Sequence, residues 1–249
     1  MVDLNGRVAL VTGGGKGIGR GISTALAAAG ASVAVNYATD RAAADSTVAD
    51  IAASGGRAVA VPGDVAVPED VERMFAQVNA TIGAVDTLVN NAGIYTFQPF
   101  EDVTPDDFER HYRTNVLGVI LTCQSFVKQV PGVGGSIVNI STSGIANNAP
   151  GPILSTSSKA AVTTLTRILA NELGPRQIRV NAVAPGATDT DGARALGLIN
   201  DELVAAVVAA TPLGRLGHPD DIGPVVAFLA SREAAWITGD VVFASGGSR

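Results

Sequence analysis

VALVTGGGKGIGRGI, residues 8–22, is a short apolar run that breaks into glycines and then opens a helical pattern. Gly13, Gly17 and Gly19 fall in a G-x-x-x-G-x-G spacing, with further glycines at Gly14 and Gly15. Such a turn bends tightly, lets the backbone approach a pyrophosphate closely, and brings the next helix near the strand. The pyrophosphate then sits on free N–H groups at the helix start, here around Lys16, Gly17, Ile18 and Gly19. A glycine-rich turn placed after a first strand and before a first helix predicts a dinucleotide-binding unit.

Outward from that turn the same alternation repeats. RVALVT, ASVAVN, AVAVPG, DTLVNN, GSIVNIS, IRVNAVAPG and DVVFASGG are near-continuous apolar runs, as strands become when helices cover both faces of a sheet. Helical patterns lie between them, at roughly 17–29, 40–54, 68–82, 106–130, 155–174, 201–210 and 220–231. Asp40 stands where an N-cap is wanted. Pro68 and Pro219 sit at first-turn positions, followed by carboxylates that suit the positive end of the helix dipole. Alternating strands and helices imply a parallel sheet with crossover connections. No linker or repeat interrupts the pattern. The expectation is one Rossmann-like α/β domain over residues 1–249, with a doubly wound parallel sheet of about seven strands.

Composition narrows the partners. Of 249 residues, 47% are hydrophobic and 16% charged, which fits a globular chain with a sizeable core. The net charge of −6 argues against nucleic acid. No apolar run is long enough for a membrane helix, and the start MVDLNGRVALVTGG lacks a secretory pattern, so a cytoplasmic location without membrane contact is expected. Cys123 lies in the apolar stretch VLGVILTCQSF and reads as a buried small hydrophobe. With two histidines and no Cys/His cluster, no metal site is expected. His111 reads as a helix-surface residue and His218 as part of a helix start.

The end of the second strand bears on the choice of dinucleotide. An NAD site usually places a carboxylate about twenty residues beyond the glycines, on the ribose hydroxyls. Here that position is Asn36, so nothing repels a 2′-phosphate; Lys16 lies within reach of one, and Thr39 can donate a hydrogen bond. NADP(H) is the preferred cofactor, with NAD(H) as the alternative.

TGGGKGIG (12–19), GDV (63–65), NNAG (90–93), TNVLG with Asn115, VNAVAPGATDT (180–190) and the C-terminal WITGDVVFASGG together resemble the classical short-chain dehydrogenase/reductase family. The resemblance spans essentially the whole chain and leans towards the subgroup of acyl-carrier-protein ketoreductases and polyhydroxynaphthalene reductases. It implies hydride transfer between nicotinamide and a carbonyl or alcohol. It also implies adenine contacts at Asp64 and Val65, cofactor contacts at Asn91, Ala92 and Gly93, and a nicotinamide clamp at Pro185, Gly186, Thr188 and Thr190. The C-terminal part commonly builds subunit contacts in the family, so a homo-tetramer or homo-dimer is implied, and Trp236 reads as a packing residue at such a contact.

The family pattern also supplies a tyrosine acid, a lysine four residues later, a serine at the end of strand five, and an asparagine. Asn115 and Lys159 match. The serine position falls on Thr142, with Ser141 and Ser143 as neighbours if the register slips. The tyrosine position is Ser155, in ILSTSSKAAV (153–162). A serine hydroxyl is a far weaker acid than a phenol and much shorter. Losing a positioned acid costs about a hundred- to ten-thousand-fold in rate. Three readings stay open: Tyr95 supplies the proton or forms an aromatic pocket wall, the substrate needs little acid help, or the protein binds the dinucleotide without turnover as a sensor or silent subunit. Tyr112 reads as packing. The Ala/Leu/Val-rich segment 189–212 is expected to form a substrate lid, which fits a small, mostly apolar substrate; Arg194 within it reads as a solvated charge or a contact to an anionic group.

Overall fold

Seven apolar runs pair side by side, all parallel, in the order β3-β2-β1-β4-β5-β6-β7. The structure is a computed structural model and describes residues 2–130, 134–195, 197 and 199–248, with the Leu203 side chain outside that description. The chain runs β1 (Val8–Val11), α1 (Gly17–Ala28), β2 (Ser32–Tyr37), α2 (Arg41–Ala53), β3 (Arg57–Pro62), α3 (Pro68–Thr81) and β4 (Thr87–Asn90). The second half runs α4 (Pro105–Tyr112), α5 (Gly118–Gln129), β5 (Gly135–Ile140), α6 (Gly144–Asn147), α7 (Ile153–Leu173), β6 (Ile178–Pro185), α8 (Asp191–Ala195), α9 (Asp201–Ala210), α10 (Pro219–Ala230) and β7 (Val241–Ala244). Strand order reverses between β1 and β4. In open α/β sheets that reversal opens a crevice at the carboxyl ends of the strands, where ligands bind.

Alternation along each strand divides the core in two. Val11, Val33, Val35, Val89, Val138 and Val183 face α1, α2 and α10, meeting Ile22, Leu26, Ala44, Ile222 and Val226. Leu10, Ala34, Val61, Leu88, Ile137 and Val180 face α3, α5 and α7, meeting Met74, Phe75, Cys123, Phe126 and Val162. Each fully buried phenylalanine here is worth about 3–5 kcal/mol against truncation to alanine. Burial pushes the Cys123 thiol up to about 12, so it stays neutral in the second layer. This is the single-domain Rossmann-like sheet with helices on both faces that the sequence pattern implied.

The helix starts follow their signals. Asp40 caps α2 by accepting from Ala43 N. Pro68 and Pro219 open α3 and α10, and His218 is the N-cap of α10. Two expectations need correction. The helical pattern over 106–130 is not one uniform helix: α4 passes through a π turn, Arg113–Leu117, before α5. The wider turn rotates the following residues and leaves Asn115 fully buried. His111 is not on the surface either; it is 0% exposed. Burial is tolerated because both ring nitrogens are engaged, Nδ1 with the Asp107 carbonyl at 2.8 Å and Nε2 with the Thr96 hydroxyl at 3.0 Å. Since a carbonyl only accepts, Nδ1 carries a proton; in the neutral ring Nε2 then receives the Thr96 hydroxyl proton. Tyr112 stacks on Phe108, with centroids 4.3 Å apart, in keeping with its packing assignment.

Among the described residues no helix is long and apolar enough to cross a membrane. Trp236 is 100% exposed in this chain, on the loop ahead of β7. It borders a cavity of about 730 Å³ lined by Arg7, Arg179, Arg232 and the starts of β5 and β6. That cavity opens at the amino-terminal ends of the strands, away from the crevice between β1 and β4.

Candidate active site

The glycine turn is fastened from four directions. Gly13, at φ +59°, donates to Asn36 Oδ1 at 3.1 Å. Ser23 of α1 donates to the Gly14 carbonyl, and Thr47 of α2 to that of Gly15. From the end of β4, Asn91 Nδ2 donates to the carbonyls of Thr12 and Gly13. Thr12 Oγ1 in turn accepts from the N–H groups of Asn91 and Ala92, each at 3.0 Å. A Cβ on Gly19 would stand 2.1 Å from the Gly13 oxygen, so helix and turn close only around glycine. Lys16 is the N-cap of α1 and offers no side-chain cap to the first-turn N–H groups. These amides suit an anion, with the dipole of a 12-residue helix behind them. Thr12, Ser23 and Thr47 were not singled out from the sequence; Thr12 directly follows β1, a weak signal, and Ser23 and Thr47 lie within α1 and α2 with no signal of their own.

At the adenosine end the structure alters one assignment. Asn36 is buried and its carboxamide is fully engaged: Oδ1 with Gly13 N, Nδ2 with the carbonyls of Val61 and Gly63 at 3.2 and 2.9 Å. It shapes the turn and keeps no free donor for a ribose. Thr39 is exposed at the β2 end, and Lys16 Nζ lies 3.2 Å from Asp40 Oδ2 on the surface. Asp64 is exposed and accepts from Ala66 N, while Val65 packs inward beside Gly118.

Around β4, α7 and the π turn a third cluster forms. Asn115 Oδ1 accepts from Ile94 N at 2.8 Å; its Nδ2 donates to the Ile94 carbonyl and to Ser158 Oγ. Lys159 Nζ donates to the Ile140 carbonyl at 2.7 Å. A Cβ on Gly93 would stand 3.1 Å from Asn115 Oδ1 and 3.3 Å from Lys159 Nζ, so these three residues meet. Ser158 was not expected here; it links Asn115 to the Ser155 carbonyl.

Ser155 is 1% exposed, and its hydroxyl is turned towards the segment after β4. It accepts from Thr96 N at 3.0 Å and lies 3.4 Å from the Thr96 carbonyl. Thr142 is partly buried, its Oγ1 accepting from Gly144 N. Ser141 bonds Thr163 and the Lys159 carbonyl within α7, and Ser143 is buried, so Thr142 is the half-open hydroxyl of the three. Tyr95 is 43% exposed and meets Phe97 edge-on at 5.0 Å. At the β6 end, Pro185 is buried and Gly186 N donates to the Ala244 carbonyl. Thr188 Oγ1 donates to the Gly186 carbonyl, and Thr190 packs 3.3 Å from where a Gly17 Cβ would stand.

Electrostatics single out one group. Burial lowers the Lys159 ammonium from 10.5 to about 8, with no carboxylate among the described residues to hold it up. Burial also raises the Tyr95 phenol, which keeps its proton across the neutral range. The arrangement therefore offers amides for an anion at α1 and, beside Gly93, an ammonium whose titration burial brings down to about 8.

Residues 13–249 match a family profile described as enoyl-(acyl carrier protein) reductase. An uncharacterized oxidoreductase of Methylorubrum extorquens is 47% identical over 249 residues, which covers 100% of both chains. A hydroxynaphthalene reductase-like protein of Metarhizium majus is 40% identical over 261 residues, covering 99% of this chain and 96% of its own. The crystal structure of an angucycline C-6 ketoreductase with bound NADP is similar at a TM-score of 0.92 and 38% identity, covering 99% of this chain and 96% of that one.

Proposed function

The chain belongs to the short-chain dehydrogenase/reductase family, and on that premise we propose that it is an NADP(H)-dependent oxidoreductase acting on a small, mostly apolar carbonyl or alcohol. The observation that carries this reading is the meeting of Lys159, Asn115 and Gly93 beside the fastened glycine turn, at the strand-order reversal. The relatives point the same way, one a hydroxynaphthalene reductase-like protein and another a ketoreductase with NADP bound.

The turn fits a dinucleotide: its carbonyls are tied back, its first-turn amides are uncapped, and the close approach at Gly19 admits no side chain. Gly15, Gly17, Ile18 and Gly19 would hold the pyrophosphate. Lys16 and Thr39 would receive the 2′-phosphate, with Asp64 and Val65 at the adenine. Asn91, Ala92 and Gly93 would line the ribose side, and Pro185, Gly186, Thr188 and Thr190 the nicotinamide. The bound reduced cofactor supplies a hydride. Lys159 binds the adjoining ribose and brings positive charge towards the reacting oxygen, where it offsets the negative charge that begins to develop. Thr142 orients that oxygen, and Asn115 holds the backbone at Ile94. Ser155 stands at the position of the family's tyrosine, so proton delivery is altered and turnover weakened. Tyr95 and Phe97 form an aromatic wall. Residues 189–212, with α8 and α9, act as the lid; Leu196 and Leu198 within it lie outside the described residues. Subunits associate as a homo-tetramer or homo-dimer.

The inward turn of the Ser155 hydroxyl favours a second reading: an NADP(H)-binding protein without turnover, a sensor or the silent subunit of a hetero-oligomer. A panel of ketones and quinones with NADPH, followed by loss of its absorbance, separates the two. Binding without turnover on any substrate supports the second, and absence of binding to NADPH and NADH in calorimetry rejects both.

A further inference from the structure

Resting on the reading of the chain as a carbonyl reductase, we infer that the Lys159 ammonium is itself the acid of the reaction, passing its proton through one water to the substrate oxygen, while Ser155 is a positioning residue that fastens the segment after β4.

Three observations converge. The first is the Ser155 hydroxyl, which is engaged with the backbone of Thr96 and nearly fully buried. On the other side of Thr96, its side-chain hydroxyl is held by His111. Together with the two bonds of Asn115 to Ile94, these contacts clamp the residues on either side of Tyr95. Ser155 thus has a structural task that its proton is already part of. The second is Lys159. It is partly buried, one of its three protons is on the Ile140 carbonyl, and its Nζ faces Gly93. Two protons remain, enough for a ribose hydroxyl and a water. The third is the set of charges around it. The titratable side chains on the elements packed against α7 are Asp106, Asp107, Glu109, Arg110, His111 and Tyr112 of α4, Arg113 of the π turn, Arg176 after α7 and Arg179 of β6, with Tyr95 on the segment after β4. Tyr95 is neutral, both His111 nitrogens are engaged, and Arg113 bonds the Ala66 carbonyl. None sets a charge against the ammonium, and burial alone makes it a mild acid. A buried ammonium that titrates near neutrality transfers a proton far more readily than an ordinary lysine.

The step balances. As the carbonyl carbon receives hydride from a reduced nicotinamide dinucleotide, the C=O π pair moves onto oxygen. Oxygen takes a proton from the water, the water takes one from Nζ, and neutral Lys159 recovers its proton from solvent.

The test starts without turnover, from NMR titration of protein labelled with ¹³C-lysine, assigned with Lys159→Arg. The Lys159 Cε signal is expected to titrate at about 8. With NADPH and a carbonyl that the wild type reduces, kcat/KM should be flat below that midpoint and fall about tenfold per pH unit above it. Lys159→Arg keeps the charge and cannot release the proton; it should bind NADPH in calorimetry yet lose about a hundred- to ten-thousand-fold in kcat. Small primary amines should partly rescue Lys159→Ala, more acidic amines doing so more effectively. Ser155→Ala should leave the alkaline midpoint in place. A lysine signal that titrates at its ordinary value overturns the inference, and so does Lys159→Arg at wild-type rate. Loss of the alkaline limb in Ser155→Ala does the same. In each of those cases the reductase reading stands; a wild type that reduces no carbonyl at all overturns that reading and the inference with it.

Discussion

At the glycine turn, the side chains around it are committed to the backbone. Asn36, Thr47, Ser23 and Asn91 each bond a carbonyl or N–H of the turn or of the strand ends beside it. At the corner around Lys159, Asn115 and Ser155 do the same work on Ile94 and Thr96, but the ammonium keeps a single protein partner among the described residues. Both regions are rigidly framed; they differ in what the frame leaves over. The turn leaves uncapped amides, which suit an anion. The corner leaves a desolvated cation with protons to give. In the proposed function, binding and chemistry thus separate along the crevice, and each is open to disruption on its own.

The largest effect is expected where the frame has no slack. Gly19→Val places atoms against the Gly13 oxygen, so calorimetry should show NADPH affinity weakened by about a hundredfold or more, from overpacking of roughly 3 kcal/mol. Asn36→Asp comes next. It sets a carboxylate oxygen against the carbonyls of Val61 and Gly63 in a buried site. The expected result is a loss of about 2–4 kcal/mol in urea unfolding rather than a switch to NADH. A stable variant that prefers NADH would instead restore Asn36 to the ribose.

Lys159→Met probes the other region. Because the folded-state value is depressed, the wild type carries a penalty for the buried charge at neutral pH. That penalty fades as pH rises from about 8 towards the ordinary lysine value of 10.5. Lys159→Met should therefore be the more stable by on the order of 1 kcal/mol at neutral pH, after allowance for partial exposure. The gap should close in alkaline buffer. The smallest effect belongs to Asp40→Asn, which keeps the cap on α2 and releases Lys16 from its surface partner. NADPH should then bind about two- to fivefold more tightly, with little change for NADH and less effect at high salt.

The sheet was legible because parallel strands buried on both faces write themselves as apolar runs, and all seven paired as that pattern implied. The π turn was not, since the 106–130 periodicity reads the same whether or not one residue is inserted into a turn. PDDFERHY reads as a charged surface helix; only the partner Thr96, fifteen residues away, makes a buried His111 affordable. Asn36 stood at the position expected to face a ribose, yet its carboxamide direction depends on carbonyls about 25 residues downstream. The glycines were visible from spacing, and Asn115 and Lys159 from the family resemblance, whereas the anchoring hydroxyls of Thr12, Thr47 and Ser158 carry no such signal. That a serine stands at position 155, where the resemblance implies a tyrosine, could be read; where its hydroxyl points could not.

Trp236 has an optical consequence. It is the sole tryptophan of the chain, fully solvated at the sheet edge opposite the crevice. Its emission should sit at the red, iodide-quenchable limit in a lone protomer and move to the blue wherever a neighbour covers that edge. In the proposed function nicotinamide fluorescence would report from the opposite side, so dilution and cofactor titration could be read in two separate colours on one unlabelled sample.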